Sequence, residues 1–164
     1  MGQASLIPEA EKLVSQFKAK GLRLALIESC TGGALSAAIT AVPGSSALFA
    51  WGLVLYDHNS KHEFLGCDPQ VFIDSGSVSA EAVAELAAKA KQASQADVAL
   101  AISGIAGPGG GSADKPVGTC WVGICADQGS QTIKLFHPGD RQEYRRAVVQ
   151  EALGLLNKVC SQSL

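Results

Sequence analysis

Charge is scarce in this sequence. Asp, Glu, Lys and Arg together make up 17% of its 164 residues, against 47% hydrophobic residues. That balance excludes a disordered chain and fits a single domain, residues 1–164, large enough to bury a real core. There is no basic run and the formal net charge is −2, so the electrostatic footprint of a nucleic-acid binder is missing. No apolar stretch approaches the ~20 residues that span a bilayer. The first residues include Glu9 and Glu11 and lack the charged-then-apolar order of a secretory signal. A soluble, cytoplasmic protein with no membrane or nucleic-acid partner is expected. The five cysteines, at 30, 67, 120, 125 and 160, contain no Cys-x-x-Cys pair and no clustered zinc ligands. Reduced, mostly buried thiols and no metal are expected. Cys120 and Cys125 should face opposite sides of one strand.

What is present is a chain in which short apolar strands alternate with helices. Helices are expected over Pro8–Lys20, from Thr31 through Ala34–Val42, over Ser60–Leu65, Ser79–Ala93 and Arg141–Val159. Strands are expected at Leu22–Ile27, Gly52–Tyr56, Val98–Ile102, Val117–Ala126 and Thr132–Phe136. This alternation predicts an α/β fold, a single α/β/α sandwich with helices on both faces of a mixed sheet.

Two loops follow strand ends and stand out chemically. Glu28-Ser29-Cys30-Thr31-Gly32-Gly33 turns from a buried strand into a helix. Such a turn presents backbone N–H groups at the positive end of a helix dipole and suits a phosphate or carboxylate. It equally suits plain helix capping by Ser or Thr. It is neither a Walker A loop nor a dinucleotide fingerprint. The second loop, Ser103 to Gly111, packs five glycines and a proline into nine positions, at the entropic cost glycine carries. Either the backbone contacts a ligand there, or the loop, above all Gly109–Asp114, is a surface flap. Ligands in open α/β sheets bind outside the carboxyl ends of strands, so the two loops are expected to flank one cleft.

Between them lie Pro43-Gly-Ser-Ser46 and Tyr56-Asp-His-Asn-Ser-Lys61. A serine needs a base to become a nucleophile. His58, His62 and His137 read as solvated histidines rather than bases. Lys61 is a candidate base if desolvation lowers its pKa, and otherwise an ordinary surface lysine. Cys30, at a helix N-terminus, is a second candidate nucleophile, with one of the histidines as its base.

Read in order, Glu-Ser-Cys-Thr-Gly-Gly, Pro-Gly-x-Ser, Tyr-x5-Lys-x3-Leu-Gly, Gly-x-Val-Ser, Gly-Ile-Ala-Gly-Pro-Gly-Gly, Lys-Pro-Val-Gly-Thr and Gly-Asp-Arg span about residues 8 to 157. This series resembles the CinA C-terminal-domain family, whose characterised members are nicotinamide-nucleotide amidohydrolases. The resemblance implies hydrolysis of the carboxamide of nicotinamide mononucleotide to the nicotinate nucleotide and ammonia, with no cofactor. It implies Ser46 as nucleophile, Lys61 as base and Tyr56 as a supporting hydroxyl. Substrate contacts are expected at Glu28, Ser29, Thr31, Gly32, Gly33, Ser103, Gly104, Gly107 and Arg141. Where the family usually has threonine before Gly-Ile-Ala-Gly-Pro, this chain keeps a hydroxyl as Ser103. The larger family protein has a further N-terminal domain, so a stand-alone form is expected, as is a homo-oligomer, with a dimer most plausible. A non-catalytic nucleotide-binding or regulatory module is the alternative.

Overall fold

Leu24, Leu26, Ala25 and Ile27 are all fully buried, but they alternate between two separate cores, and that alternation organises the molecule. The structure, a computed structural model, describes residues 6–162. Its five strands are β1 (Leu24–Glu28), β2 (Phe49–Val54), β3 (Val98–Gly104), β4 (Thr119–Ala126) and β5 (Gly129–Phe136). They form one sheet in the order β2–β1–β3–β4–β5. β1 is parallel to both β2 and β3, while β3–β4 and β4–β5 are antiparallel. The sheet is mixed, as the sequence implied.

Six helices cover it: α1 (Ile7–Lys20), α2 (Ala34–Thr40), α3 (His58–Leu65), α4 (Pro69–Ser75), α5 (Ala80–Ser94) and α6 (Arg141–Ser161). On one face Leu24, Leu26, Leu100, Ile102 and Val122 pack with α1, α2 and α6. On the other, Ala25, Ile27, Ala99 and Ala101 meet Val83, Leu86 and Ala90 of α5 and Phe72 of α4. Period-two alternation in each strand feeds both cores at once. The second face is lined by small residues because α5 comes very close. A Cβ at Gly123 would run into the Val83 carbonyl. Cys120 joins the first core and Cys125 packs against the second, as their spacing required.

The boundaries moved in places. β2 begins at Phe49 and ends at Val54, and β3 continues through Ser103 and Gly104. α4 was not anticipated, although its signals are in the sequence: Asp68 caps it by accepting from the Gln70 N–H at 2.9 Å, Pro69 opens it and Gly76 follows its end. No helix among the described residues is long and apolar enough to cross a membrane.

Candidate active site

β1 and β3 are parallel neighbours, with Ile27 opposite Ala101, so the Glu28 turn and the Ser103 loop leave the sheet side by side. The expected cleft wall at Glu28 is nevertheless built for another purpose. Glu28 is fully buried, and its carboxylate accepts four hydrogen bonds. Oε2 takes the Thr31 hydroxyl at 2.7 Å and the Leu35 N–H at 3.1 Å; Oε1 takes the Ser36 N–H and hydroxyl, each at 2.7 Å. The carboxylate occupies the positive end of α2, where a substrate anion was expected. The Gly32 and Ala34 amides donate to the Ser29 and Thr31 carbonyls. Glu28 and Thr31 therefore hold the turn in shape rather than contact a ligand. Gly32, exposed, and Gly33, half-buried, remain at the surface of the cleft.

The opposite situation holds on the α5 face. Lys61 of α3 is 1% exposed, yet its Nζ makes one long hydrogen bond, 3.4 Å to the Asp57 carbonyl, and otherwise lies 5.7 Å from the centre of the Phe72 ring. No carboxylate pairs with it among the described residues. Removal from water penalises the ammonium and pushes the Lys61 pKa below its ordinary value of 10.5, with Asp57 opposing the shift in part. That shift favours the neutral amine, the form able to accept a proton, relative to a solvated lysine.

Two serines stand at the carboxyl ends of the neighbouring strands β1 and β3. Ser29 follows Glu28 where the chain leaves β1. β1 ends at Glu28 and its pairing with β3 at Ile27 and Ala101, while Ser103 lies two residues further along β3. The chain from β2 into α3 runs alongside, since the Leu55 N–H donates to the Glu28 carbonyl at 3.0 Å. Ser29 is half-buried and Ser103 is 2% exposed. Gly104, the next residue, lies under Tyr144, whose hydroxyl a Cβ there would strike.

Arg141, in the first turn of α6, ties the two sides of the cleft together. It donates to the Tyr56 hydroxyl and to the Gly107 carbonyl, each at 2.9 Å. One turn on, Arg145 donates to the Thr31 carbonyl from Nε at 3.2 Å and from Nη2 at 2.6 Å. Neither guanidinium pairs with a carboxylate among the described residues. Arg145 escaped the sequence reading; its signal is the four-residue spacing from Arg141, which puts both on one helix face. Lys115 also escaped it, and its Nζ donates to the Ser75 carbonyl at 2.7 Å. The glycine-rich loop is held at Ile105, whose N–H donates to the Thr119 carbonyl at 2.8 Å, and at Gly107 by Arg141, and the Ser112 N–H just beyond it donates to the Lys115 carbonyl at 2.9 Å.

Ser46 and Cys30, the two other candidate nucleophiles, lie in different surroundings. Ser46 sits in a 3-10 turn, Ser45–Ala47, before β2, whereas Lys61 lies beyond the other end of β2. Six strand residues separate them, roughly 20 Å at ~3.3 Å per residue, so they form no pair within one chain. Cys30 is buried in the first core beneath Tyr144, whose hydroxyl donates to its sulfur at 3.5 Å and to the Thr119 carbonyl at 3.2 Å. A hydrogen bond from Cys120 holds its thiol below the usual value despite burial. The histidines closest in sequence to Lys61 are engaged elsewhere: His62 with the Cys67 carbonyl at 2.9 Å and His58 with the Ser77 hydroxyl at 3.1 Å.

Comparison with known proteins agrees with this architecture. The family model of the CinA C-terminal domain matches residues 7–160. A nicotinamide-nucleotide amidohydrolase, PncC, from Enterobacter agglomerans is 43% identical over 146 residues, covering 88% of this chain and 89% of that protein. A CinA-like protein from Geotalea uraniireducens is 40% identical over 89% of this chain. This chain spans only 35% of that relative, about a third of the length of most curated relatives it matches. Among solved structures, the competence/damage inducible protein CihA of Agrobacterium tumefaciens superposes with a TM-score of 0.91 at 35% identity, with 96% of each chain covered. Competence damage-inducible protein A of Klebsiella pneumoniae gives 0.93 at 28% identity, covering 97% of this chain and 99% of that one. The chain belongs to the CinA C-terminal domain family.

Proposed function

We propose that this protein hydrolyses the carboxamide of nicotinamide mononucleotide, releasing ammonia and the nicotinate nucleotide. The observation that carries the reading is Lys61, buried and with one long hydrogen bond to the Asp57 carbonyl. A structural lysine would be paired or solvated; an unpaired, desolvated one is suited to proton transfer. The PncC relative, covered almost end to end, supports the choice of substrate.

In this mechanism neutral Lys61 takes the proton of Ser29, whose oxygen attacks the carboxamide carbon. Backbone amides of the glycine-rich loop stabilise the oxyanion that forms. Lys61 returns the proton to the departing ammonia, takes one from the water that attacks the acyl-serine, and gives it to the Ser29 oxygen as that bond breaks and the acid leaves. Tyr56, held by Arg141, and Ser103 orient the substrate, with Gly32, Gly33, Gly104 and Gly107 shaping the backbone beside it. Arg141 and Arg145 receive the phosphate through their remaining N–H groups. The test is ammonia release from the nucleotide by purified wild type and Ser29→Ala. Wild-type turnover with a loss of at least about 100-fold in Ser29→Ala is expected. Tight nucleotide binding without any ammonia would instead reveal a binding module.

A further inference from the structure

Phe72 covers Lys61, and the helix that carries Phe72 has little of its own to hold it. α4 is seven residues long, and Ile73 on its outer side is 72% exposed. So short a helix does not hold itself together in water and depends on packing and on bonds at its ends. Phe72 supplies the packing, in the core it shares with α5. The first end is tied to α5, where the Asp68 N–H donates to the Glu85 carboxylate at 3.1 Å. The last end is tied to the chain just past the glycine-rich loop. There Lys115 Nζ donates at 2.7 Å to the Ser75 carbonyl, one of those a helix end leaves without a partner, and the helix dipole favours a cation at that place. Both sides are shaped for this bond. Gly76 follows Ser75 with φ +76°, and a Cβ there would lie 3.3 Å from Nζ. The Ser112 N–H donates to the Lys115 carbonyl at 2.9 Å and the Lys115 N–H to the Ser112 hydroxyl at 3.1 Å, a closed turn that fixes the lysine backbone. Gly111 of the loop packs on that turn, with no room for a Cβ against the Val117 nitrogen.

We propose that Lys115 is a positioning residue for the reaction: it straps the end of α4 to the glycine-rich loop and so keeps Phe72 over Lys61. The proposal rests on reading the Lys61 cleft as the active site. Burial is the largest influence on the Lys61 amine and pushes its pKa down, while Asp57 before α3 and Cys67 beyond it push it back up. Glu85 and Lys89 of α5 act on Cys67, whose own thiol burial raises to about 11. What α4 brings to the amine is the Phe72 ring, since its one carboxylate, Asp74, accepts from the Gln70 side chain at 2.6 Å. Lys115 is not among the charges that act on Lys61, so it works through the place of Phe72. A loosened α4 lets water reach the amine and returns it to the charged form. The strap thereby joins the two parts of the proposed chemistry, the loop amides at the oxyanion and the amine that moves the proton.

The test follows the amine itself. The Cε carbon resonance of Lys61, assigned by its absence from Lys61→Met, is titrated by NMR in the full chain, beside the kcat/KM profile for ammonia release. Lys115→Met should fold, with both midpoints moved about one pH unit towards 10.5 and ammonia release about 10-fold lower on the acid limb. Lys115→Arg keeps a donor for the same carbonyl and should bring both midpoints back towards wild type. Phe72→Ala should move them at least as far as Lys115→Met does, and adding Lys115→Met to it should move them no further. A folded Lys115→Met with wild-type midpoints overturns the proposal. So does an additive shift in the double variant, because Lys115 would then act without Phe72. If Phe72→Ala fails to fold, Lys115→Met and Lys115→Arg decide between them: equal shifts in the two overturn the strap. Absence of ammonia from wild type would sink the proposed function, and the NMR midpoints would still decide the strap.

Discussion

Glu28 and Lys61 are two buried ionisable groups at the same end of one sheet, on opposite faces, and they are treated in opposite ways. Glu28 spends both oxygens on four donors from α2 and its approach. Lys61 has three N–H groups and a single bond of 3.4 Å. Burial is common to both, so burial does not mark the reactive group. Satisfaction does. A buried charge with every partner in place stabilises a shape, while one without partners keeps its free energy available for chemistry.

Isosteric neutralisation separates the two most sharply. Lys61→Met removes an amine that no carboxylate pairs and roughly keeps its volume. It should lower kcat for ammonia release by about 10²–10⁴-fold, the worth of a general base, with an unchanged or raised melting temperature. Equal loss of activity and stability would make Lys61 a structural residue. Glu28→Gln should do the reverse. Donors that now meet an amide NH2 lose their acceptor, so urea denaturation should show about 2–3 kcal/mol lost stability. A variant as stable as wild type would mean that the cap contributes little. The smallest effect is expected from Arg141→Ala, which leaves both buried charges in place. It should raise KM about 10-fold, near 1.4 kcal/mol, with less change in kcat. A fall in kcat alone would assign Arg141 to positioning Tyr56 instead of binding phosphate.

How far the sequence foretold this arrangement depends on the kind of information. The layers and the meeting of the Glu28 and Ser103 loops were legible because period-two apolar runs and strand-end glycines are local signals. The occupant of the α2 N-terminus was not. Glu28-Ser-Cys-Thr-Gly-Gly presents donors, and spacing alone does not say whether a ligand or a carboxylate eight residues before Ser36 will take them. Lys61 was legible as a candidate but not as buried, since Phe72 of the unanticipated α4 covers it. The separation of Ser46 from Lys61 was only partly legible: a strand was expected between them at Gly52–Tyr56, and the one that forms, Phe49–Val54, starts three residues earlier, close behind Ser46. Arg145 contacts the Thr31 carbonyl across 114 residues, a distance in sequence no local pattern bridges.

The account stands on a neutral Lys61 at working pH, and kcat/KM for ammonia release against pH measures it directly. Desolvation lowers the Lys61 pKa in the folded chain below its ordinary 10.5. Between the two values the unfolded chain holds a proton that the folded one has lost, so stability also rises with pH across that window. The predicted profile has an acid limb, rising with pH to a plateau below 10.5, and that limb disappears from the residual activity of Lys61→Met. A flat profile in wild type, or the same limb surviving in Lys61→Met, would contradict it.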